Sequence, residues 1–575
     1  MMKHTLLALS LLTGALATVI PHRPDLHHDL KPRASCENTA TSRDCWGDYS
    51  IDTDYYTTTP DTGVTREYWL NVEEGPCSPD GVEVSACMSF NGTIPGPTLS
   101  ADWGDTLKIH VYNNLTTNGT SIHWHGLRQL YSSQMDGVPG VTQCPIAPGE
   151  EMTYEFRVTQ YGSTWYHSHF SLQYGEGLFG PLILNGPATA DYDEDLGLLF
   201  LQDWSHTPAF ELWDTAKQGG QPQLENGLIN GTNTYNNSGT VTGQKWETTF
   251  EAGKKYLFRI VNVALEGHFD FSIDGHNLTV IGNDLVPIVP YTTDSLLISI
   301  GQRYDVIVEA NAEAGDYWLR AGWQTACATN GNAAGITGII RYDSSSTADP
   351  TTTGNTVSTF CGDEPIESLV PYLKKDVGNI VSTSEEDLYF SFGSYFTWTL
   401  NGSSFYIDYT DPTLDYVFDN STSFPTDYNA VNVGASSPNA SEWTVLIITD
   451  ETGFGIYHPI HLHGHDFWIV GSEAATFDID TFKPNTTNPA RRDTTVLPAN
   501  GYLALAFQLD NPGAWVSHCH IAWHASEGFS IEFVESEDQI STTLGSSAST
   551  LVKDTCASYN TYNATAVFHQ DDSGI

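Results

Sequence analysis

The stretch His518-Cys519-His520-Ile521-Ala522-Trp523-His524 constrains this chain more than any other feature. Side chains on a β-strand alternate between faces, so on an extended backbone His518 and His520 project to one side and Cys519 to the other. One short strand then serves two places, with a thiolate in front and two imidazoles behind. Cys519 with nearby imidazoles such as His524 suggests the trigonal two-histidine, one-cysteine arrangement of a blue copper centre. Alone, the segment is also compatible with a buried thiol beside two incidental histidines, or with a zinc site.

Elsewhere the chain repeats the pattern. His123-Trp124-His125, His167-Ser168-His169, His461-Leu462-His463 and His463-Gly464-His465 share the spacing, and His458 stands three residues before His461. The 20 histidines among 575 residues would give roughly 0.7 such pairs by chance, against five present, so coincidence explains them poorly. Four pairs on four strands supply eight imidazoles, enough for a cluster of several metal ions. Imidazole suits copper, zinc, iron and nickel, so spacing alone does not choose among them. Zinc sites more often combine two or three histidines with a carboxylate, or use several cysteines. Eight histidines beside a Cys-His strand favour copper.

From about Cys36 to Ile575 the chain resembles the multicopper oxidases, and among them the laccases of ascomycete fungi. Four segments carry the resemblance: His123-Trp-His-Gly to Gln143-Cys144-Pro145-Ile146, Trp165-Tyr-His-Ser-His, His458-Pro-Ile-His-Leu-His-Gly-His, and Trp515 through Phe529. The resemblance implies four coppers. His458, Cys519 and His524 match the ligands of a type 1 copper, and His123 and His461 those of a type 2 copper. His125, His167, His169, His463, His518 and His520 match the ligands of a type 3 pair. His4, His22, His27, His28, His110, His206, His268, His276, His465 and His569 match no ligand position, and His465 is expected to pack behind the site or orient a ligand. The implied activity is one-electron oxidation of phenols and aromatic amines, coupled to four-electron reduction of O2 to water. A ferroxidase or pigment-pathway oxidase on the same scaffold is the enzymatic alternative. A copper-binding electron-transfer cupredoxin is the non-enzymatic one, but it needs only His458, Cys519 and His524.

Further roles follow from the same resemblance. Phe529, ten residues after Cys519, falls at the axial position of the type 1 site. It cannot ligate, and no methionine follows Met152 to do so instead. A missing axial ligand raises the potential; packing beneath the copper is the other reading. Glu266 matches a pocket carboxylate that accepts a phenolic proton, which a nearby base makes easier; otherwise it is an ordinary surface carboxylate. Asp136 matches a proton-relaying carboxylate beside the cluster, though Asp-Gly is also a common turn pair. The ending Asp571-Asp572-Ser573-Gly574-Ile575 resembles the tail that plugs the channel to the trinuclear site in ascomycete laccases, and is expected to need no removal. A frayed terminus is the alternative.

Short alternating runs such as Thr106-Leu-Lys-Ile-His-Val-Tyr112 and Arg303-Tyr-Asp-Val-Ile-Val-Glu309 read as strands, while long helical periodicity is scarce. Many short strands with turn signals argue an all-β chain of sandwiches, and the resemblance implies three sequential cupredoxin-like domains. Boundaries are placed to give residues 34–187, 188–358 and 359–575, the last including a connector. Ligand pairs lie only in the first and third, so the cluster is expected at their interface.

Residues 1–17 read as a secretory signal, and Lys31-Pro32-Arg33 suggests a propeptide over 18–33. Later stretches are too short or too polar to span a bilayer. Sequons at Asn91, Asn114, Asn118, Asn230, Asn236, Asn277, Asn401, Asn420, Asn439, Asn485 and Asn563 predict N-linked glycans on an extracellular, monomeric protein. The nine cysteines leave one thiol over, for which Cys519 is the candidate. The resemblance suggests Cys36–Cys45, Cys144–Cys556 and Cys327–Cys361, and Cys77–Cys87 follows by elimination. A formal charge of −47 argues against nucleic-acid or anionic-membrane partners.

Overall fold

A computed structural model describes residues 36–358, 360–437, 441–567 and 570–575. The expected signal peptide and propeptide, the Asn439 sequon, and His4, His22, His27, His28 and His569 lie outside the described residues. Three pairs of β-sheets succeed one another along the chain. In the first pair, one sheet runs Val84–Phe90, Thr65–Cys77, Thr106–Asn113, Glu151–Arg157. Its partner runs Leu99–Asp102, Phe179–Asn185, Gly162–Ser168, Ile122–Trp124. The alternation in Thr106–Asn113 turns Leu107, Ile109 and Val111 inward, where they share one core with Trp124, Leu182 and Leu184 of the facing sheet. Each such side chain contributes about 1.5–3 kcal/mol by leaving water. A charge at Ile109 would therefore separate the sheets.

The second pair has six and five strands. Lys255–Asn262 and Arg303–Glu309 lie central in one sheet, and Asp316–Trp323 lies central in the other. The third pair again has six and five strands. Its smaller sheet runs Ala430–Val433, Ser530–Glu535, Gly513–Cys519, His458–Leu462, Thr494–Leu497. The cores of these two pairs are continuous. Both runs singled out above as strands are strands.

One element differs from the expectation. Glu537–Asn563 is helical, with a break at Gly545, where φ is 78°. Its buried residues, Ile540, Leu544, Ala548, Val552, Cys556 and Tyr559, recur every three or four positions, as one helix face requires. Polar Ser and Thr around them dilute that stripe. All four expected disulfides are present, and Cys519 is the free, buried cysteine. Cys144–Cys556 ties the helix to the first sandwich across 412 residues. None of the described sequon asparagines is buried, and no described helix is long and apolar enough to cross a membrane.

Candidate metal centre and adjoining cavity

Strand register assembles the histidines. Within the first sandwich His123 stands opposite His167, and within the third His461 stands opposite His518 while Ile460 faces Cys519. The two sandwiches abut so that the imidazoles interleave: His123 stacks on His463 and His125 on His461, each at 3.9 Å between ring centroids. Ligand atoms of three triads converge: His125, His167 and His520; His169, His463 and His518; and His123, His125 and His461. All eight of these residues are buried. The sequence motif left the six type 3 candidates undivided; the geometry divides them into two threes, with His123 and His461 beside them.

On the opposite face of the Gly513–Cys519 strand, His458, Cys519 and His524 form a separate triangle. Cys519 Sγ lies 3.7 Å from His458 Nδ1 and 3.6 Å from His524 Nδ1, and the two nitrogens are 3.0 Å apart. Phe529 is buried with its ring 5.1 Å from that of His458. His268 with Cys327 and Cys361 is a further convergence, but both sulfurs are spent in a disulfide.

Most of the cluster imidazoles are fixed from behind. His123 donates from Nδ1 to the Asp136 carbonyl at 2.8 Å, His461 to the Asp493 carbonyl at 2.7 Å, and His463 to Asp136 Oδ2 at 2.8 Å. His167 and His518 donate from Nδ1 to the Ser168 and Cys519 carbonyls. The second nitrogens of His123, His167 and His461 are left buried without partners. Leaving so many buried nitrogens unpaired is costly unless they share another partner, and carbonyl- or carboxylate-held imidazoles with a free inward lone pair are the usual dress of a metal site. Burial holds His125, His167, His169, His461, His463 and His520 well below the ordinary histidine range, and His518 down to about 4. They are therefore neutral imidazoles, the form that can offer a lone pair to a metal ion. Burial pushes the Cys519 thiol up, so only a cation alongside would keep it a thiolate.

Three models of one family match the sequence: residues 71–189, 195–345 and 398–539 each fit a description reading multicopper oxidase. The chain belongs to the multicopper oxidase family. Among similar proteins, Laccase-2 of Botryotinia fuckeliana is 59% identical, with 98% of each chain covered. The crystal structure of the laccase from Botrytis aclada superposes with a TM-score of 0.91 at 59% identity, covering 94% of this chain and 100% of that one. A multicopper oxidase that functions in iron import shares the fold at a TM-score of 0.76 and 25% identity, covering 86% of this chain and 95% of the other. Members of the family bind copper, and the donor set here fits it: neutral imidazoles in threes, and a thiolate with two imidazoles.

Other candidates fall around these two sites. Asp136 precedes Gly137 at the end of a short 3-10 turn and is buried, its Oδ2 accepting from His463 Nδ1 at 2.8 Å. His465 stays outside the cluster, donating to the His463 carbonyl at 3.2 Å and facing Glu535 at 2.9 Å. A cavity of ≈ 620 Å³ opens beside His524, lined in part by Glu266, His268, Trp398, Trp523 and Glu527. Glu266 is partly exposed there, held by Gln221 at 2.7 Å, and burial pushes its carboxyl up to about 7. At the other end, Ile575 is buried and borders a small cavity with His167, His169, His518 and His520. Ser573 binds Ser526 and Ala525 carbonyls, and Asp572 accepts from Ser171. Gly574 has φ 102°, and a Cβ there would come within 2.6 Å of Ile407, so only glycine threads this point.

Sequence reasoning missed Asp493, Trp398 and Glu527. Asp493 ties the cluster to the second sandwich: its carbonyl holds His461, and its carboxylate takes a two-pronged ion pair from Arg303 at 2.5 and 2.6 Å. Removing one partner of such a buried pair costs about 3–5 kcal/mol. Arg491-Arg492-Asp493 resembles any surface charge run in a single sequence, and only its place between apolar strands hints otherwise.

Proposed function

We propose that this protein is a secreted laccase, taking single electrons from phenols and aromatic amines at a type 1 copper and reducing O2 to water at a trinuclear cluster. One observation carries the reading. In Gly513–Cys519 and the residue after it, Cys519 belongs to the sulfur-containing triangle while its neighbours His518 and His520 belong to the two all-histidine triads. Two sites are thus joined by single peptide links, a short covalent path for electrons.

His458, Cys519 and His524 would hold the type 1 ion, and His123 and His461 the type 2 ion. His125, His167 and His520 would hold one type 3 ion, and His169, His463 and His518 the other. Together, four bound coppers supply four one-electron centres, the number that takes O2 to two waters. The remaining work falls to side chains. Glu266 accepts the phenolic proton as the electron leaves, which avoids a high-energy radical cation. Asp136 fixes His463 through Oδ2, and Oδ1, 3.3 Å from His123 Nδ1, is the atom through which it would pass protons towards the cluster. Phe529, its ring 5.1 Å from that of His458, offers no donor atom, so a copper held by the triangle would gain no ligand from it and would have a raised potential. Ile575 and the three residues before it act as a plug on the solvent side of the cluster.

Secretion, N-linked glycans, a monomeric state, no nucleic-acid or membrane partner, and the division at residues 187 and 358 belong to the same reading. Copper content, blue absorbance and O2 uptake with a phenol, measured on one preparation, test it. About four coppers per chain, a strong blue band and phenol-dependent O2 uptake are expected. Cys519→Ser should lose the band and all oxidation while the histidine cluster keeps its copper. A blue, active Cys519→Ser protein contradicts the assignment.

A further inference from the structure

We propose that Glu527 is a positioning residue of the sulfur-containing triangle, acting through Trp398: its carboxyl holds the indole that packs against both His458 and His524. The proposal rests on reading that triangle as the type 1 copper site. Trp398 Nε1 donates to Glu527 Oε2 at 2.8 Å, with the two residues only 2% and 5% exposed. The Trp398 ring centroid lies 4.8 Å from that of His524, 5.1 Å from His458 and 6.2 Å from Phe529. One indole therefore touches both imidazoles of the triangle and the ring beneath them. Its N–H, out of water, needs an acceptor, and Glu527 supplies it.

The local backbone does not depend on this side chain. Glu527 N donates to the Trp523 carbonyl at 2.8 Å, Gly528 N to Ala525 at 2.9 Å and Phe529 N to His524 at 2.9 Å. Trp398 N donates to the Glu527 carbonyl at 2.9 Å and Phe405 N to the Gly528 carbonyl at 3.1 Å, which sews the turn to the strand Phe396–Leu400. Gly528 has φ 90°, and a Cβ there would sit 2.9 Å from the Phe405 carbonyl oxygen, so main chain meets main chain at this point. The carboxyl is left with a different task, and it also borders the cavity beside His524. Burial, opposed by the indole hydrogen bond and reinforced by Glu266, pushes the Glu527 carboxyl up to about 9.

Three single variants of the copper-loaded protein and one double variant test this. Glu527→Gln keeps an acceptor, Glu527→Leu removes it, and Trp398→Phe keeps a ring but removes the donor. The readouts are the blue band, the hyperfine coupling of the type 1 copper in electron paramagnetic resonance, its potential, and kcat and KM with a donor that loses only an electron. Glu527→Leu and Trp398→Phe should each shift the band and hyperfine coupling and lower kcat roughly threefold or more with little change in KM. Glu527→Gln should restore the wild-type spectrum. The double variant Glu527→Leu/Trp398→Phe should be no worse than either single change, because both break one bond. An unshifted spectrum in fully loaded Glu527→Leu, a Gln variant as perturbed as the Leu variant, or additive effects in the double variant would each overturn the proposal. A wild-type protein that loads copper without a blue band would instead refute the type 1 reading, which is a distinguishable result.

Discussion

At the scale of single residues, the proposed roles separate most clearly between Glu266 and the converging histidines. Glu266 can take a phenolic proton only when ionised, and burial puts that ionisation at about pH 7. Phenol oxidation should therefore gain from the ionised base as pH rises through about 7. Glu266→Gln should lower kcat/KM for a phenol on the order of 10²-fold and remove that rise, leaving a donor that yields only an electron untouched. Equal losses on both donors would make Glu266 structural. The converging histidines were legible because alternation on a strand leaves a mark of period two, and His-x-His is that mark. Glu266 and Asp136 leave no such mark; among 70 acidic residues they stood out only by resemblance. Asp493 gave only the faint hint of its place between apolar strands and Glu527 none, because whether a carboxylate is buried depends on strands far away in sequence.

At the scale of elements, the strand Ser530–Glu535 shows what polar burial does to stability. It is buried throughout and includes Glu532, whose Oε2 accepts from Thr413 at 2.9 Å. Burial pushes the Glu532 carboxyl from 4.5 up to about 8. Between those values the folded protein keeps a proton that the unfolded chain has released, so stability is full below 4.5 and is lost as pH rises through about 8. The slope is at most about 1.4 kcal/mol per pH unit. Glu532→Gln keeps the Thr413 bond and cannot titrate. The Tm of the wild type relative to this variant should fall steadily from about pH 5 to about pH 8; a constant difference would show that Glu532 is not buried as a neutral acid. Strands were the elements most legible in the sequence, since Thr106–Asn113 and Arg303–Glu309 alternate cleanly. The C-terminal helix was not, because its stripe from Ile540 to Tyr559 contains small or polar-flanked residues such as Ala548 and Cys556.

At the scale of the whole molecule, three sandwiches and a tail converge on one cluster. The first and third sandwiches bring the histidines, the second clamps them through Arg303 and Asp493, and Cys144–Cys556 holds the tail's helix to the first. Deleting Asp572 to Ile575 should leave the blue band intact yet impair O2 turnover or copper retention at the cluster; unchanged turnover at full copper loading would reject the plug. The central claim is that one molecule stores the electrons of four single oxidations and delivers them together to O2. Anaerobic reductive titration of the fully copper-loaded protein, followed by admission of O2, tests it most directly. The account predicts uptake of about four electrons per chain, bleaching of the blue band, and reoxidation by one O2 without hydrogen peroxide. Uptake of a single electron, or release of peroxide in proportion to O2 consumed, would contradict it.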